Sequence, residues 1–462
     1  MVVVGGGLAG ITAALDCAAA GARVTLVEVR RRLGGAAYSF ERDGMRLDNG
    51  QHVFLRCCSA YRSLLGRLGS EHLVRVQPRL DIPVLRPGSR PLRLRRGALP
   101  APLQLAGSLA RYRYLTPGER LGAARAALAL MRLSRSAAGR RELQRDEVTF
   151  GEWLARHGQG PRAVNALWDL IALPTLNLPA AQASLALAEF VFREGLLSDA
   201  AAGDIGFHAA TLSEIIGTPA ERALREAGVE VRLGWRAQRL SSAAGGLEVH
   251  GRVGVAVDAE RGPGGEAPGE PAAAGAGDVV GGTAAIVALP HGRAATLLEP
   301  LLGDAARRIG ALQSSPIVNL HVVYDRPVLD ESFAAGVATP VQYLFDRTAA
   351  AGAPAGSQYL AVSLSGAERE MKMSVGALRE RYVPAIAELL PRARRARVER
   401  FVVTREHAAT FRASPGVGAL RAGAQTSVPG LVLAGAWTAT GWPATLEGAV
   451  LSGHAAADRA LQ

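Results

Sequence analysis

The chain has 462 residues, 48% of them hydrophobic and 20% charged, which gives apolar mass for two or three domains and excludes a chain disordered throughout. Its 53 basic residues exceed 41 acidic ones for a formal net charge of +12, and Lys372 is the single lysine among the arginines. That excess reads either as a compositional bias shared with Ala and Gly or as attraction to anionic lipid head groups or an acidic partner. Nucleic-acid binding is excluded as a class: aromatics are 5% of the chain and no basic stretch is interleaved with them.

Cys17, Cys57 and Cys58 make neither a disulfide framework nor a metal spacing, as expected in a reducing cytoplasm. No run approaches about 20 apolar residues and no signal-like segment precedes the first strand, so no transmembrane helix is expected. Peripheral contact with the inner face of the cytoplasmic membrane stays open.

Met1–Val4 is an apolar strand running into glycines, Ile11–Ala20 a helix of small apolar residues, and Arg23–Glu28 a second strand. The first strand is shorter than the usual five or six residues (about that many in most sheets), so further residues are expected upstream of Met1. Leu99–Leu133 reads as helical, opened by Pro100 and Pro102 and interrupted at Pro117-Gly118. Its part Leu121–Leu133 is amphipathic with arginine flanks, either a surface helix packed on the domain or one lying in a membrane interface. Phe150–Phe192 is a further helical region, Ala220–Gly228 a short helix, and Val229–Leu233 a strand. Residues 251–282, rich in Gly, Ala, Pro and Glu, read as a disordered insertion, and Gly275-Ala-Gly277 has no strand before it and is not a second nucleotide turn. Thr283–Leu289, Ile317–Tyr324, Tyr359–Leu364 and Leu431–Leu433 are strands, and Thr445–Ala457 a last helix. No internal repeat is present.

Gly5, Gly7 and Gly10 satisfy G-x-G-x-x-G between the first strand and the first helix. The first glycine permits the tight turn, the second lets the backbone approach a pyrophosphate, and the third lets helix and sheet pack closely. Leu8 and Ala9 then open the helix with free N–H groups and roughly half a positive charge facing the phosphates. Glu28 closes the second strand at the spacing of a ribose-binding acid, so the unit binds a dinucleotide.

Arg30-Arg-Arg-Leu-Gly-Gly35 follows directly. The pattern resembles flavoproteins of the amine oxidase and carotenoid (phytoene) desaturase superfamily, which makes the expected cofactor FAD. Leu33, Gly34 and Gly35 match its pyrophosphate and ribitol cradle; Ala36 stands where arginine is usual. Gly430–Gly453 resembles the last flavin-binding segment of that superfamily, with Gly435, Ala436, Pro443, Ala444 and Thr445 placed against flavin and ribitol. Ala436 replaces the usual acid, a loss of about 1 kcal/mol of hydrogen bonding. Val29 and Val231 complete the expected cofactor set. Glu447 is either a ligand or a residue facing the core or a helix dipole.

Leu47-Asp-Asn-Gly-Gln-His-Val-Phe54 resembles more narrowly the squalene-associated FAD-dependent desaturase family, which includes hydroxysqualene dehydroxylases of hopanoid biosynthesis. Leu173–Pro179, Ser315–His321 and Arg405–Thr410 support it. The resemblance implies an α/β fold: a Rossmann-type FAD-binding domain, doubly wound on a mostly parallel sheet, with an inserted α+β substrate domain. The expected segments are 1–65, 213–295 and 401–462 for the first, and 66–212 and 296–400 for the second. It implies a long isoprenoid substrate, reductive loss of an allylic hydroxyl, and an electron donor that is a nicotinamide cofactor or a separate reductase. An oxidative desaturase, an amine oxidase and a non-enzymatic prenyl-lipid carrier are the alternatives.

Asp48, Gln51 and His52 are the candidate catalytic groups. A histidine can donate a proton near neutral pH, and Asp48 can orient it or raise its pKa. In the other reading Asp48 and Asn49 form a turn and His52 is structural. Asn177, His321 and His407 are further candidates, or else satisfied core and surface residues.

Overall fold

The computed structural model describes residues 1–253 and 277–462. Two sheets organise them. The first is five-stranded and wholly parallel, in the order Glu230–Leu233, Thr25–Glu28, Val2–Val4, Ala285–Val287, Leu431–Leu433. All but the edge strand Glu230–Leu233 are short, largely apolar and largely buried, as strands are when both faces are covered. Val2, Val3 and Val4 are buried, with Thr25–Val27 paired on one side and Ala285–Val287 on the other.

Two helices of small residues cover this sheet. Leu8–Ala19 leaves the glycine turn, and Leu446–Ala460 closes the chain. They meet backbone to backbone: a Cβ on Gly453 would stand 2.5 Å from the Ala9 carbonyl oxygen and 2.7 Å from Thr12 Cβ. A Cβ on Gly10 would fall 1.9 Å from the Gly5 oxygen. The glycines therefore set the distance between the first motif and the last.

The second sheet has seven strands, in the order Val398–Phe411, Ser314–Tyr324, Gln358–Ser365, Tyr343–Asp346, Phe333–Gly336, Asp81–Leu85, Leu92–Arg95. Its strands are mostly antiparallel, and helix Val375–Leu389 packs on the apolar cluster along one face. Val398–Phe411 belongs to this sheet although much of it falls in the segment 401–462 expected for the cofactor domain; its hydrogen bonds run along Ser314–Tyr324. A small antiparallel sheet joins the two halves, with Ile205–His208 between Val53–Leu55 and Val74–Val76.

Two expectations need correction, and one pair of alternatives is decided. Residues 99–105 are not helical: the helices are Ala106–Arg111 and Pro117–Leu133. Pro100 and Pro102 keep residues 99–105 out of the helix, and after Arg111 a Thr116–Glu119 capping box with Pro117 at the first helical position starts the second one. The apolar face of Pro117–Leu133 is spent inside the protein, with Ala123, Ala126 and Leu130 buried. The ends of the 251–282 segment are ordered: Gly246–Val253 pairs with Asp278–Gly282, which satisfies their backbone groups, and residues 254–276, with most of Gly275–Gly277, lie outside the described residues.

Candidate active site

At the glycine turn Gly7 caps helix Leu8–Ala19 with no side-chain hydrogen bond, so Leu8 and Ala9 begin a helix whose N-terminus is uncapped. Gly34 and Gly35 loop back over it: a Cβ on Gly35 would stand 2.8 Å from Gly7 Cα. A Cβ on Gly7 would meet nothing nearer than Gly35 Cα at 3.7 Å, so this stretch of backbone is open to an incoming group. Glu28 takes the Gly6 N–H on one carboxylate oxygen (2.7 Å) and the Arg30 N–H on the other (2.8 Å). Each oxygen keeps a lone pair for a hydroxyl. Val29 follows it, and Val231 is in register with Leu26 on the adjoining strand.

Arg32 lies in this cradle. Its guanidinium stacks 3.6 Å above the Tyr38 ring and donates to the Gly35 carbonyl at 3.3 Å, while Nη2 is buried without a partner among the described residues. Burial, with Arg30 nearby, pushes its pKa down to about 10. A buried, under-compensated guanidinium beside an open backbone turn fits a pyrophosphate. It supplies positive charge where Ala36 does not.

The last segment turns sharply at Gly435 (φ 138°), whose N–H donates to Ser452 Oγ at 2.8 Å. Arg421 reaches the carbonyl oxygens of Trp437, Thr438 and Trp442 and so holds the turn that contains Ala436. Pro443 and Ala444 lead to Thr445, which caps helix Leu446–Ala460 by accepting from Gly448 N–H at 3.1 Å. Glu447 accepts the N–H groups of Ala60 (3.0 Å) and Tyr61 (2.7 Å). It thus caps helix Ser59–Leu68 and complements its dipole.

Between these segments lies Asp48–His52, held at three points by distant residues. Asp48 is buried; it pairs with Arg347 at 2.9 Å and accepts from Ser39 Oγ (2.7 Å) and Leu212 N–H (2.9 Å). It does not orient His52: its hydrogen bonds go to Arg347, Ser39 and Leu212, and none goes to the imidazole; burial pushes its pKa up against the pull of Arg347. Arg347 also donates to the carbonyls of His208 and Ala210.

The carbonyl of Asn49 is held by a hydrogen-bonded chain. Thr404 Oγ1 donates to it at 2.9 Å and Asn319 Nδ2 at 3.1 Å. With its own proton used there, Thr404 accepts from His321 Nε2 (3.1 Å), and His321 Nδ1 then accepts from the Tyr359 hydroxyl (2.6 Å). The carbonyl of His52 is held likewise: His208 Nδ1 donates to it at 2.8 Å, and Tyr61 donates to His208 Nε2 at 2.7 Å. Each tautomer follows from its partners, and desolvation pushes both imidazoles down to about 3. The Asn49 side chain ties the segment to Ala36, Tyr38 and Glu406.

Two side chains of the segment are left free. Gln51 Nε2 is buried with no partner among the described residues. The His52 imidazole is partly accessible, and desolvation alone pushes it down to about 4. At pH 7 it is neutral, so it is not the standing acid expected of it; without a carboxylate beside it, nothing offsets the cost of desolvating its charge. Of the other candidates, Asn177 is a buried latch between Ser315, Gly366 and Thr410, and His407 is exposed on strand Val398–Phe411. Sequence reading missed His208, Arg347, Thr404 and Tyr61. Only His208 carried a signal, a lone histidine closing an apolar strand.

The model for flavin containing amine oxidoreductases matches residues 8–461. The chain is 30% identical to a hydroxysqualene dehydroxylase of Rhodopseudomonas palustris over 99% of its own length and 97% of the relative's. This chain belongs to the flavin-containing amine oxidoreductases, in the family of the hydroxysqualene dehydroxylases. A second such relative, from Sinorhizobium fredii, is 28% identical with the same coverage. An oxidoreductase of Methanosarcina mazei has the same fold, with a TM-score of 0.72 at 15% identity over 98% of both chains. The protein is therefore an FAD-dependent oxidoreductase, and the cradle of Gly7, Gly35, Glu28 and Arg32 suits that cofactor.

Proposed function

We propose that the chain reductively removes the hydroxyl of hydroxysqualene: hydroxysqualene and reduced FAD give squalene, FAD and water. One observation carries this reading, the similarity to hydroxysqualene dehydroxylases along essentially the whole of both chains. It takes in the substrate side as well as the cofactor turn.

Reduced FAD, when bound, supplies a hydride. The remaining work falls to the protein. The cofactor is held by the turn Gly5–Gly10, Glu28, Val29, Leu33–Gly35, Val231 and the turn Gly435–Thr445. The hydroxyl leaves as water only if its oxygen gains a proton, and the carbon left behind is an allylic cation that water must not reach. Gln51 Nε2 and the His52 imidazole are the free polar groups of the pinned segment; the amide N–H donates a hydrogen bond to the hydroxyl oxygen, and the imidazole passes it a proton drawn from solvent. His52, neutral at pH 7, relays a proton as it receives one. Asp48 contributes indirectly, by fixing the segment through Arg347. Electrons for each cycle come from outside the chain, from a nicotinamide cofactor or a reductase.

Anaerobic incubation of hydroxysqualene with photoreduced holoenzyme is expected to yield squalene and oxidised flavin in equal amounts. An absence of squalene, with desaturation of phytoene by the oxidised enzyme instead, would show an oxidative desaturase. His52→Ala with flavin retained is expected to lower turnover about 10²-fold or more; unchanged turnover removes the relay.

A further inference from the structure

The positive charge of this chain is concentrated. Between Arg86 and Arg145 stand fourteen arginines and two acids, Glu119 and Glu142, so this stretch alone has a formal charge of +12. The rest of the chain holds 39 basic and 39 acidic residues. A compositional bias would act along the whole chain; the observed excess has a place in the fold. It covers the hairpin Asp81–Leu85/Leu92–Arg95, the loop 97–105, and helices Ala106–Arg111, Pro117–Leu133 and Ala137–Arg145. Asp81 pairs with Arg93 and Arg95, Glu331 pairs with Arg93 as well, and Asp204 is shared between Arg96 and Arg56. Arg90, Arg111, Arg113 and Arg125 are exposed and have no ion pair among the described residues.

Exposed leucines sit in the same field. Leu99 and Leu103 are each 51% exposed and Leu121 is 54% exposed. One such residue alone is ordinary. These three border the short helix Ala106–Arg111, against which Pro117–Leu133 leans through an Arg120 hydrogen bond to the Ala110 carbonyl. Exposed leucines in the same stretch as exposed arginines without ion pairs suit a surface that is apolar within and anionic at its rim.

The ground beneath is apolar and leads inward. Leu105 and Leu109 pack on a cluster that includes Tyr112, Leu170, Phe333 and Phe345, and Leu55 and Phe207 pack on the same cluster. Leu55 and Phe207 lie on paired strands, three residues from His52 and one from His208.

We propose that Gly97–Arg113 and the first two turns of helix Pro117–Leu133 dock on an anionic bilayer, with Leu99, Leu103 and Leu121 entering the interface. The isoprenoid passes between bilayer and Gln51–His52 along the apolar cluster beneath; this second half rests on the isoprenoid reading above. The contact is thus the loop 97–105 and its neighbours, and not the apolar face of residues 121–133.

The test is co-sedimentation of the holoenzyme with vesicles of mixed phosphatidylglycerol and phosphatidylcholine, or of phosphatidylcholine alone. Binding is expected to the anionic vesicles only, and to fall as salt rises. Arg111→Gln with Arg113→Gln is expected to weaken it by roughly twenty-fivefold, about fivefold per arginine. Leu99→Gln with Leu103→Gln is expected to weaken it at unchanged net charge, and both pairs are expected to keep their flavin absorbance and melting temperature. No binding of the wild type to anionic vesicles, equal binding to neutral ones, or wild-type binding by both pairs overturns the docking surface. Turnover of detergent-dispersed hydroxysqualene separates the two proposals. Squalene formed without vesicle binding leaves the reaction standing and the surface fallen; vesicle binding without squalene does the reverse.

Discussion

The glycine turn Gly5–Gly10 and the polar segment Asp48–His52 are both short and both at strand ends, yet they are held in different ways. The first is positioned by its own backbone and by neighbours within about one βαβ unit: Gly10 against Gly5, Gly35 against Gly7, Glu28 on Gly6 and Arg30. The second is positioned by side chains from elsewhere in the chain, Arg347, His208, Asn319 and Thr404. Backbone-built sites carry their geometry in a local pattern. Side-chain-built sites carry it in partners hundreds of residues apart.

The strongest way to break this comparison is Arg347→Ala. It leaves the Asp48 carboxylate buried and unpaired, and urea unfolding of the holoenzyme is expected to show a loss of about 3–5 kcal/mol. A loss below about 1 kcal/mol would mean that the segment is not held there. Gly10→Ala attacks the other region: its Cβ meets the Gly5 carbonyl, and a cost of about 1–3 kcal/mol with loss of bound flavin is expected, read by absorbance after gel filtration.

A pH series sharpens the histidine pins. His208 and His321 take up protons near pH 3 in the folded protein and His52 near pH 4, but near 6.5 when unfolded. Between these values the unfolded chain binds more protons, so stability is full above about pH 6.5 and falls as pH drops toward 4. His321→Gln is expected to reduce that loss by about 1 kcal/mol between pH 6.5 and 5.5, measured by chemical denaturation at the two values. An identical slope in the variant would place the imidazole in a solvated site. The smallest effect is expected at Glu447→Gln, about 1 kcal/mol from the cap on helix Ser59–Leu68, with flavin content unchanged. Loss of flavin there would instead make Glu447 a ligand.

Much of the cofactor half was legible. The strands at Val2–Val4, Thr25–Glu28, Ala285–Val287 and Leu431–Leu433 follow from short apolar runs bounded by glycine or proline. The helix over 99–105 did not form, because an apolar sequence dense in proline satisfies the pattern of a buried helix but not its backbone. Glu447 was ambiguous because a carboxylate near a helix start serves a ligand or a neighbouring helix equally well, and only the position of Ala60 and Tyr61 decides.

By itself the sequence determined the dinucleotide turn, the acid at the end of the second strand and the excess of arginine. Each depends on residue type and close spacing, which chain geometry converts directly into backbone shape or charge. Tertiary structure alone decided that Asp48 pairs with Arg347 and not His52, that His52 is neutral, and that Leu99, Leu103 and Leu121 are left exposed. Burial and long-range pairing are properties of what surrounds a side chain, and those surroundings exist only once the two sheets have packed.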